Sequence, residues 1–279
     1  MTSKRSVLRQ QRAWAKSAGI HVDARGFIEA YESNLLRPLS PSTLAAFESG
    51  GGSELRERGK RPAKMRALHS SAALAVNVFD HWVGRDAGPL LQALGIESTS
   101  SARIAFERPF PTGLPGNPPN VDVVLTLDSG AAIAIESKFT EWLTPKRKGK
   151  PAFKEKYFAD GAERWARAGL PACQALATDL QSGRERFRQL DAPQLLKHAL
   201  GLAAARPKRF ALRYLFYEIP SPSAERHESE IARFSARVDS EVGFGSVTYQ
   251  DLYRALRASD AVDRDYLAYL GKRYFPEPA

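Results

Sequence analysis

A single cysteine, Cys173, occurs among the 279 residues, so neither an intramolecular disulfide nor a thiolate zinc cluster can form. Nowhere does the sequence approach the roughly 18 uninterrupted apolar residues that a membrane span needs, and no membrane partner is expected. The opening residues set Lys4, Arg5, Arg9 and Arg12 among polar neighbours and lack the apolar core of a secretory leader. These absences lead to the expectation of a cytoplasmic protein. No Walker-type phosphate loop occurs either, because Gly50-Gly51-Gly52 is not followed by Gly-Lys-Ser/Thr. His69 and His81 have no partner at metal-ligand spacing, which favours surface or helix-capping roles for them. No aligned Ser, His and Asp set, internal repeat or low-complexity tail is found.

What is present is positive charge. Lysine and arginine number 41 against 31 acidic residues, giving a net charge of +10 that points to a polyanionic partner. A sequence heavy in alanine, arginine and proline can acquire such a charge from genome composition, so charge counts mainly where it agrees with local chemistry. With 43% hydrophobic residues at this length, a substantial core can be buried.

The local chemistry lies between Phe106 and Trp142. Residues 121–127 and 131–139 are β-branched, apolar runs of strand length, separated by Asp128-Ser129-Gly130. A three-residue hairpin loop ending in a left-handed glycine sets Leu127 against Ala131. Counting back along both strands then sets Asp122 against Glu136, and Lys138, two residues on, shares their face. Ile133, Ile135 and Phe139 point the other way, into a core. Two carboxylates facing each other, roughly 5 Å apart at Cβ, repel. Either the lysine compensates, in a structural ion-pair cluster, or a divalent cation does, and hard oxygen ligands suit Mg²⁺ or Mn²⁺.

Around this hairpin the periodicity predicts helices over 4–18, 27–36, 67–83, 88–94, 170–181, 192–204, 224–238, 250–257 and 263–274. Ser40-Pro41 marks a further short helix that stops at the glycine triplet. Strands are expected at 102–108, 210–219 and 245–249. The loop from Pro109 to Asn120 holds five prolines and two glycines, which makes it stiff and sets it over the Asp122 end of the sheet. A basic segment from Arg56 to Arg66 reads as an exposed connector. Lys146, Arg147, Lys148 and Lys150 follow the third strand and suit a phosphate backbone, although a solvated charge run is the default for such a segment alone. Phe153, Tyr157, Phe158 and Trp165 stand among cations, where base stacking competes with ordinary core packing.

A strand carrying Asp, followed by a strand carrying Glu-x-Lys, resembles the PD-(D/E)XK superfamily of restriction endonuclease-like nucleases. Asp122, Glu136 and Lys138 take the three motif places. Asn120-Val121 stand where the motif has its proline, with Pro118-Pro119 just upstream. The resemblance covers roughly residues 67–249. It implies an α/β fold with a mixed sheet, an αβββαβ core with helical additions at both ends, and a nuclease-like domain over 67–279. Residues 1–66 remain as a helical extension with a basic linker. It implies catalysis by Asp122, Glu136 and Lys138, and a Mg²⁺ or Mn²⁺ ion held by Asp122, Glu136, the Ser137 carbonyl and a helix carboxylate. Glu54 is the candidate for that last place, with Glu57 and Asp80 as rivals. Gln194 and Lys197, on the helix after the Glu-x-Lys strand, join the basic cluster as nucleic-acid contacts.

The function so implied is metal-dependent hydrolysis of DNA phosphodiester bonds, on double-stranded DNA, in a restriction, bacterial defence or repair setting, with a homodimer suited to cutting both strands. Two alternatives stay open. One is a catalytically inactive, basic nucleic-acid-binding protein on the same fold; the other is a protein–protein scaffold whose charge is incidental.

Overall fold

Gly130 adopts φ 81°, the left-handed conformation that the three-residue loop requires. The Gly130 amide donates to the Leu127 carbonyl at 2.8 Å, and Leu127 N–H donates to the Ala131 carbonyl at 2.9 Å. This turn fixes the register of strand β2 (Asn120–Leu127) against β3 (Ala132–Lys138), with Val123 opposite Ile135 and Thr126 opposite Ala132. The computed structural model describes residues 3–50, 53–96, 101–146, 149, 151–205 and 210–276. Among them the sheet has five strands in the order β1 to β5. β1 (Ala102–Pro109), β2 and β3 form an antiparallel meander. β4 (Phe210–Phe216) and β5 (Gly245–Thr248) then add in parallel.

Parallel addition needs long crossovers. The first passes through α5 (Arg164–Arg167), α6 (Pro171–Ser182) and α7 (Ala192–Ala205), the second through α8 (Ala224–Val242). Ahead of the sheet lie α1 (Ser3–Ser17), α2 (Pro41–Ser49), α3 (Ser71–Phe79) and α4 (Gly88–Ala93), and after it α9 (Tyr249–Arg257) and α10 (Arg264–Tyr274). α3 packs on β2 and β3, α7 on β4, and α8 on β4 and β5. Consecutive residues of β2 and β3 are buried, as expected for a sheet covered on both faces. The fold is thus the expected mixed α/β sheet with the αβββαβ order.

Two local expectations fail, and tertiary pairing is the reason for both. Residues 27–36 do not form an α-helix; only a 3₁₀ turn, Tyr31–Asn34, is present. Phe27 pairs instead with Ala67, the Ile28 amide donates to the Arg66 carbonyl at 3.0 Å, and Leu68 N–H donates to the Gly26 carbonyl at 3.0 Å. The same pairing delays the next helix, which spans Ser71–Phe79 rather than 67–83. Ser70 caps it, accepting from Ala73 N–H at 3.2 Å. The Ser40-Pro41 signal holds, with Ser40 capping α2.

Val7, Leu35, Phe47 and Met65, all within the first 66 residues, belong to the main core, and the Phe47 ring lies 5.9 Å from that of Phe106. Phe153, Tyr157 and Trp165 are buried and pack on one another. The Trp165 indole donates to the Leu196 carbonyl on α7 at 2.7 Å. These rings therefore support α7 and are not free to stack on bases. His81 is likewise buried, stacked on Tyr266 at 4.1 Å, rather than at the surface. The proline-rich loop docks on α7 at Gly201, where an added Cβ would meet the Phe110 carbonyl oxygen at 2.5 Å. Only glycine allows that approach.

His227 on α8 stacks on Trp142 at 4.4 Å, and its Nε2 lies 2.9 Å from the Tyr214 hydroxyl. Burial lowers its pKa from 6.5 to about 4. A depressed folded-state pKa gives stability that is complete above pH 6.5 and lost as pH falls towards 4. Comparing urea midpoints of wild type and His227→Phe across this window isolates the effect from carboxylates that titrate there. The variant should lose less stability on acidification; an identical pH slope in both proteins would contradict the assignment.

Candidate active site

The pair next outward from Val123 and Ile135 is Asp122 and Glu136, so the loop parity brings the two carboxylates opposite each other. Asp122 Oδ2 accepts the Ser137 amide proton at 2.7 Å. Lys138 Nζ forms an ion pair with Glu136 Oε1 and also reaches Gln194 Oε1 at 3.4 Å. The other Glu136 oxygen, Oε2, lies 2.9 Å from His198 Nε2, and both side chains are 1% exposed. Gln194 and His198 are four residues apart on α7 and so share a face. One meets the lysine and the other the glutamate.

β1 adds a carboxylate that the sequence pattern did not single out. Phe106 pairs with Val123 and Arg108 with Val121, which puts Glu107 at the register position of Asp122. Glu107 has φ 46°, a left-handed backbone uncommon outside glycine, of the kind that concentrates at functional sites. Its carboxylate accepts from Asn120 Nδ2 at 3.4 Å. Glu107, Asp122 and Glu136 therefore form a row across three adjacent strands, with Lys138 at its far end.

The electrostatics separate the row into two halves. Burial and the neighbouring Glu136 charge raise the Asp122 pKa well above the usual carboxylate range. Burial, then the charge of Glu54, raises Glu107 to about 7. Burial alone would also raise Glu136, but the charges and hydrogen bonds of Lys138 and His198 outweigh it and hold the carboxyl at about 2. Lys138, despite a burial effect in the opposite direction, is held firmly protonated by Glu136 and Asp122. Glu136 is thus neutralised; Asp122 feels the Lys138 charge only at longer range, and among the described residues neither it nor Glu107 forms an ion pair.

Those two acids line a cavity of ≈ 60 Å³ together with Glu54, Ser71, Ala72, Ala75, Phe47, Phe106 and Ser137. The space exceeds the roughly 10–15 Å³ that one water needs, and its charged lining is made of carboxylate oxygens. That donor set fits a hard divalent cation such as Mg²⁺. Among the described residues no three acidic or imidazole side chains converge as a ready-made metal cluster, so the fit lies in donor chemistry and placement.

Of the three helix-carboxylate candidates, only Glu54 reaches this cavity, where Lys64 pairs with it at 2.6 Å. Glu57 pairs with Arg66 at 2.5 Å. Asp80 accepts from Ser40 N–H at 2.9 Å and from the Thr43 hydroxyl at 2.6 Å, which ties it to the start of α2. Lys146 pairs with Asp191. Lys197 follows Gln194 by one turn of α7 and is half-buried. Arg147, Lys148 and Lys150 lie outside the described residues.

Glu107 and His198 escaped the sequence reading. Glu107 had a signal, since an acid at the end of an apolar strand and beside the proline loop falls in register with Asp122 once β1 is aligned. His198 had a weaker one, its four-residue spacing from Gln194.

The mixed sheet, its strand order and the Asp, Glu-x-Lys row define a restriction endonuclease-like protein. A family model described as "Restriction Endonuclease associating with ARP" matches residues 5–275, nearly the whole chain, and the chain belongs to that family. No curated protein and no solved structure matches it.

Proposed function

We propose that this protein is a Mg²⁺- or Mn²⁺-dependent endonuclease that hydrolyses DNA phosphodiester bonds. The observation that carries the reading is the carboxylate row. Glu107 and Asp122 are half-buried beside a cavity and, among the described residues, form no ion pair with a cation, next to a Glu136 already set in place by Lys138 and His198. Holding like charges together in a partly desolvated site is costly, and a divalent cation offsets that cost. Asp122, Glu107 and Glu136 would hold it, with the Ser137 carbonyl and Glu54 as further ligands. When bound, such an ion polarises a phosphoryl oxygen and acidifies a water at neutral pH.

The chain's own side chains do the rest. Lys138 keeps its proton and stabilises charge developing on the phosphate. Gln194 holds the lysine, and His198 holds Glu136, so neither depends on solvent for its orientation. Lys146 and Lys197 extend the positive surface along which a DNA backbone would lie. The family description adds a partner designated ARP to what is expected of this chain. A restriction or defence role, double-stranded substrate and a homodimer follow from the same reading.

One observation favours a second reading. Lys138 already compensates Glu136, as it would in an inactive nucleic-acid-binding protein. Incubating supercoiled and linear DNA with the protein in Mg²⁺, Mn²⁺ or EDTA separates the two. Cleavage with metal and none with EDTA is the expected result. Salt-sensitive DNA binding by folded protein without cleavage under any metal would sink the nuclease reading in favour of the binder.

A further inference from the structure

A second concavity, of ≈ 910 Å³, opens where the segment after α6 meets α7 and α8. That volume falls at the upper end of small-molecule sites, about 300–1,000 Å³. Arg186 and Arg188 line it from the segment, Lys197 from α7, and Arg226 and Arg233 from α8. The three acids that line it among the described residues are already committed. Asp191 pairs with Lys146, and Glu185 lies 3.6 Å from Arg233. Glu230 is buried and accepts three backbone amide protons, from Arg188 at 2.9 Å, Gln189 at 2.8 Å and Leu190 at 2.9 Å.

Among the described residues, no carboxylate lies within ion-pair distance of Arg186, Arg188, Lys197 or Arg226. Four cations gathered in one concavity whose acids are already engaged attract counter-charge. The Glu230 clamp fixes the backbone that carries Arg188, so the site does not have to be ordered by its ligand. Arg233 lies over the Phe187 ring with its guanidinium carbon 4.9 Å from the centroid. The exposed side of a guanidinium plane offers a stacking platform for a base. Burial lowers the Lys197 pKa and outweighs the opposing charge of Asp191.

We infer that this cleft binds a nucleotide, with its phosphates on Arg186, Arg188, Lys197 and Arg226 and its base against the Arg233 guanidinium. The shared chemistry has two sources, a free nucleotide or the nucleotides of a single strand. The site is separate from the carboxylate row, and nucleotide binding there does not depend on cleavage.

Fluorescence anisotropy with two probes, a labelled ATP and a labelled ten-nucleotide oligothymidylate, tests this in EDTA. The proteins are wild type, Arg188→Ala/Arg226→Ala and Asp122→Asn. Both arginines are exposed, so the double variant should melt with wild type. At least one probe should bind wild type and Asp122→Asn alike and bind the double variant at least about tenfold more weakly. For the oligonucleotide, the salt slope should also fall by about 0.7 per lost phosphate contact. Tight ATP with weak oligonucleotide assigns a free nucleotide, and the reverse assigns a strand. Binding of neither probe, or binding indifferent to the double substitution, would overturn the inference.

Discussion

Asp122→Asn should abolish metal-dependent cleavage while making the metal-free protein more stable, and the gain should grow as pH rises. The sign follows from burial. Asp122 has a folded-state pKa raised by desolvation and by Glu136. A raised acid contributes stability below its unfolded pKa and loses it as pH rises through the folded value. An asparagine removes that penalty and can still accept the Ser137 amide proton through its side-chain oxygen. Thermal melts at pH 8 in EDTA should therefore place the variant above wild type. Addition of Mg²⁺ should raise wild type by ligand linkage and leave the variant nearly unmoved. Lys138→Ala is the complementary case. It leaves Asp122 and Glu107 in place for the cation but removes the ammonium, so cleavage should fall by about 10²–10³-fold, the scale of losing one preorganised group that stabilises transition-state charge. A Lys138→Ala enzyme as active as wild type, or an Asp122→Asn protein with an unchanged Mg²⁺ response, would remove the basis for the metal row.

Arg273→Ala should be the most damaging single substitution away from the site. Arg273 is 0% exposed and has no acidic partner among the described residues. Its guanidinium donates to the Asn34 carbonyl at 2.5 Å, the Tyr269 hydroxyl at 2.7 Å, the Asn34 side-chain oxygen and, at 3.4 Å, Gln11 Oε1. It also lies 4.0 Å from the Trp14 ring centroid and 4.6 Å from that of Tyr274. One side chain therefore joins α1, the 3₁₀ turn at Asn34 and α10. Truncation leaves several buried acceptors unsatisfied, each costing about 1–3 kcal/mol, and opens a cavity between two aromatic rings. A total near 3–5 kcal/mol, the range of a broken buried network, corresponds to a Tm lower by roughly 10 °C for a chain of this size. Arg273→Lys keeps the charge and loses the planar fork, so it should fall between the two. A melt of Arg273→Ala within about 2 °C of wild type would show that the network contributes little.

The hairpin and its consequences were legible in the sequence because they are local. A three-residue loop with Gly130 at its end fixes parity, and a period of two then fixes which face Asp122, Glu136 and Lys138 occupy. Neither step needs knowledge of anything beyond residues 120–139. The same locality made the Ser40 cap and the long crossover helices readable. Residues 27–36 failed for the opposite reason, since their helical pattern was overridden by backbone pairing with residues 66–68, and no local signal reports a partner about forty positions away. The site divides along the same line. Sequence spacing determined the Asp, Glu-x-Lys motif, and composition the chain's net charge. Only tertiary structure set Glu107 beside Asp122, brought His198 to Glu136, separated Glu54 from Glu57 and Asp80, and gathered the arginines of α8 with those after α6. Strand periodicity acts between neighbouring residues, whereas carboxylate convergence and unpaired charge are properties of elements that meet only when the sheet and its crossovers are closed.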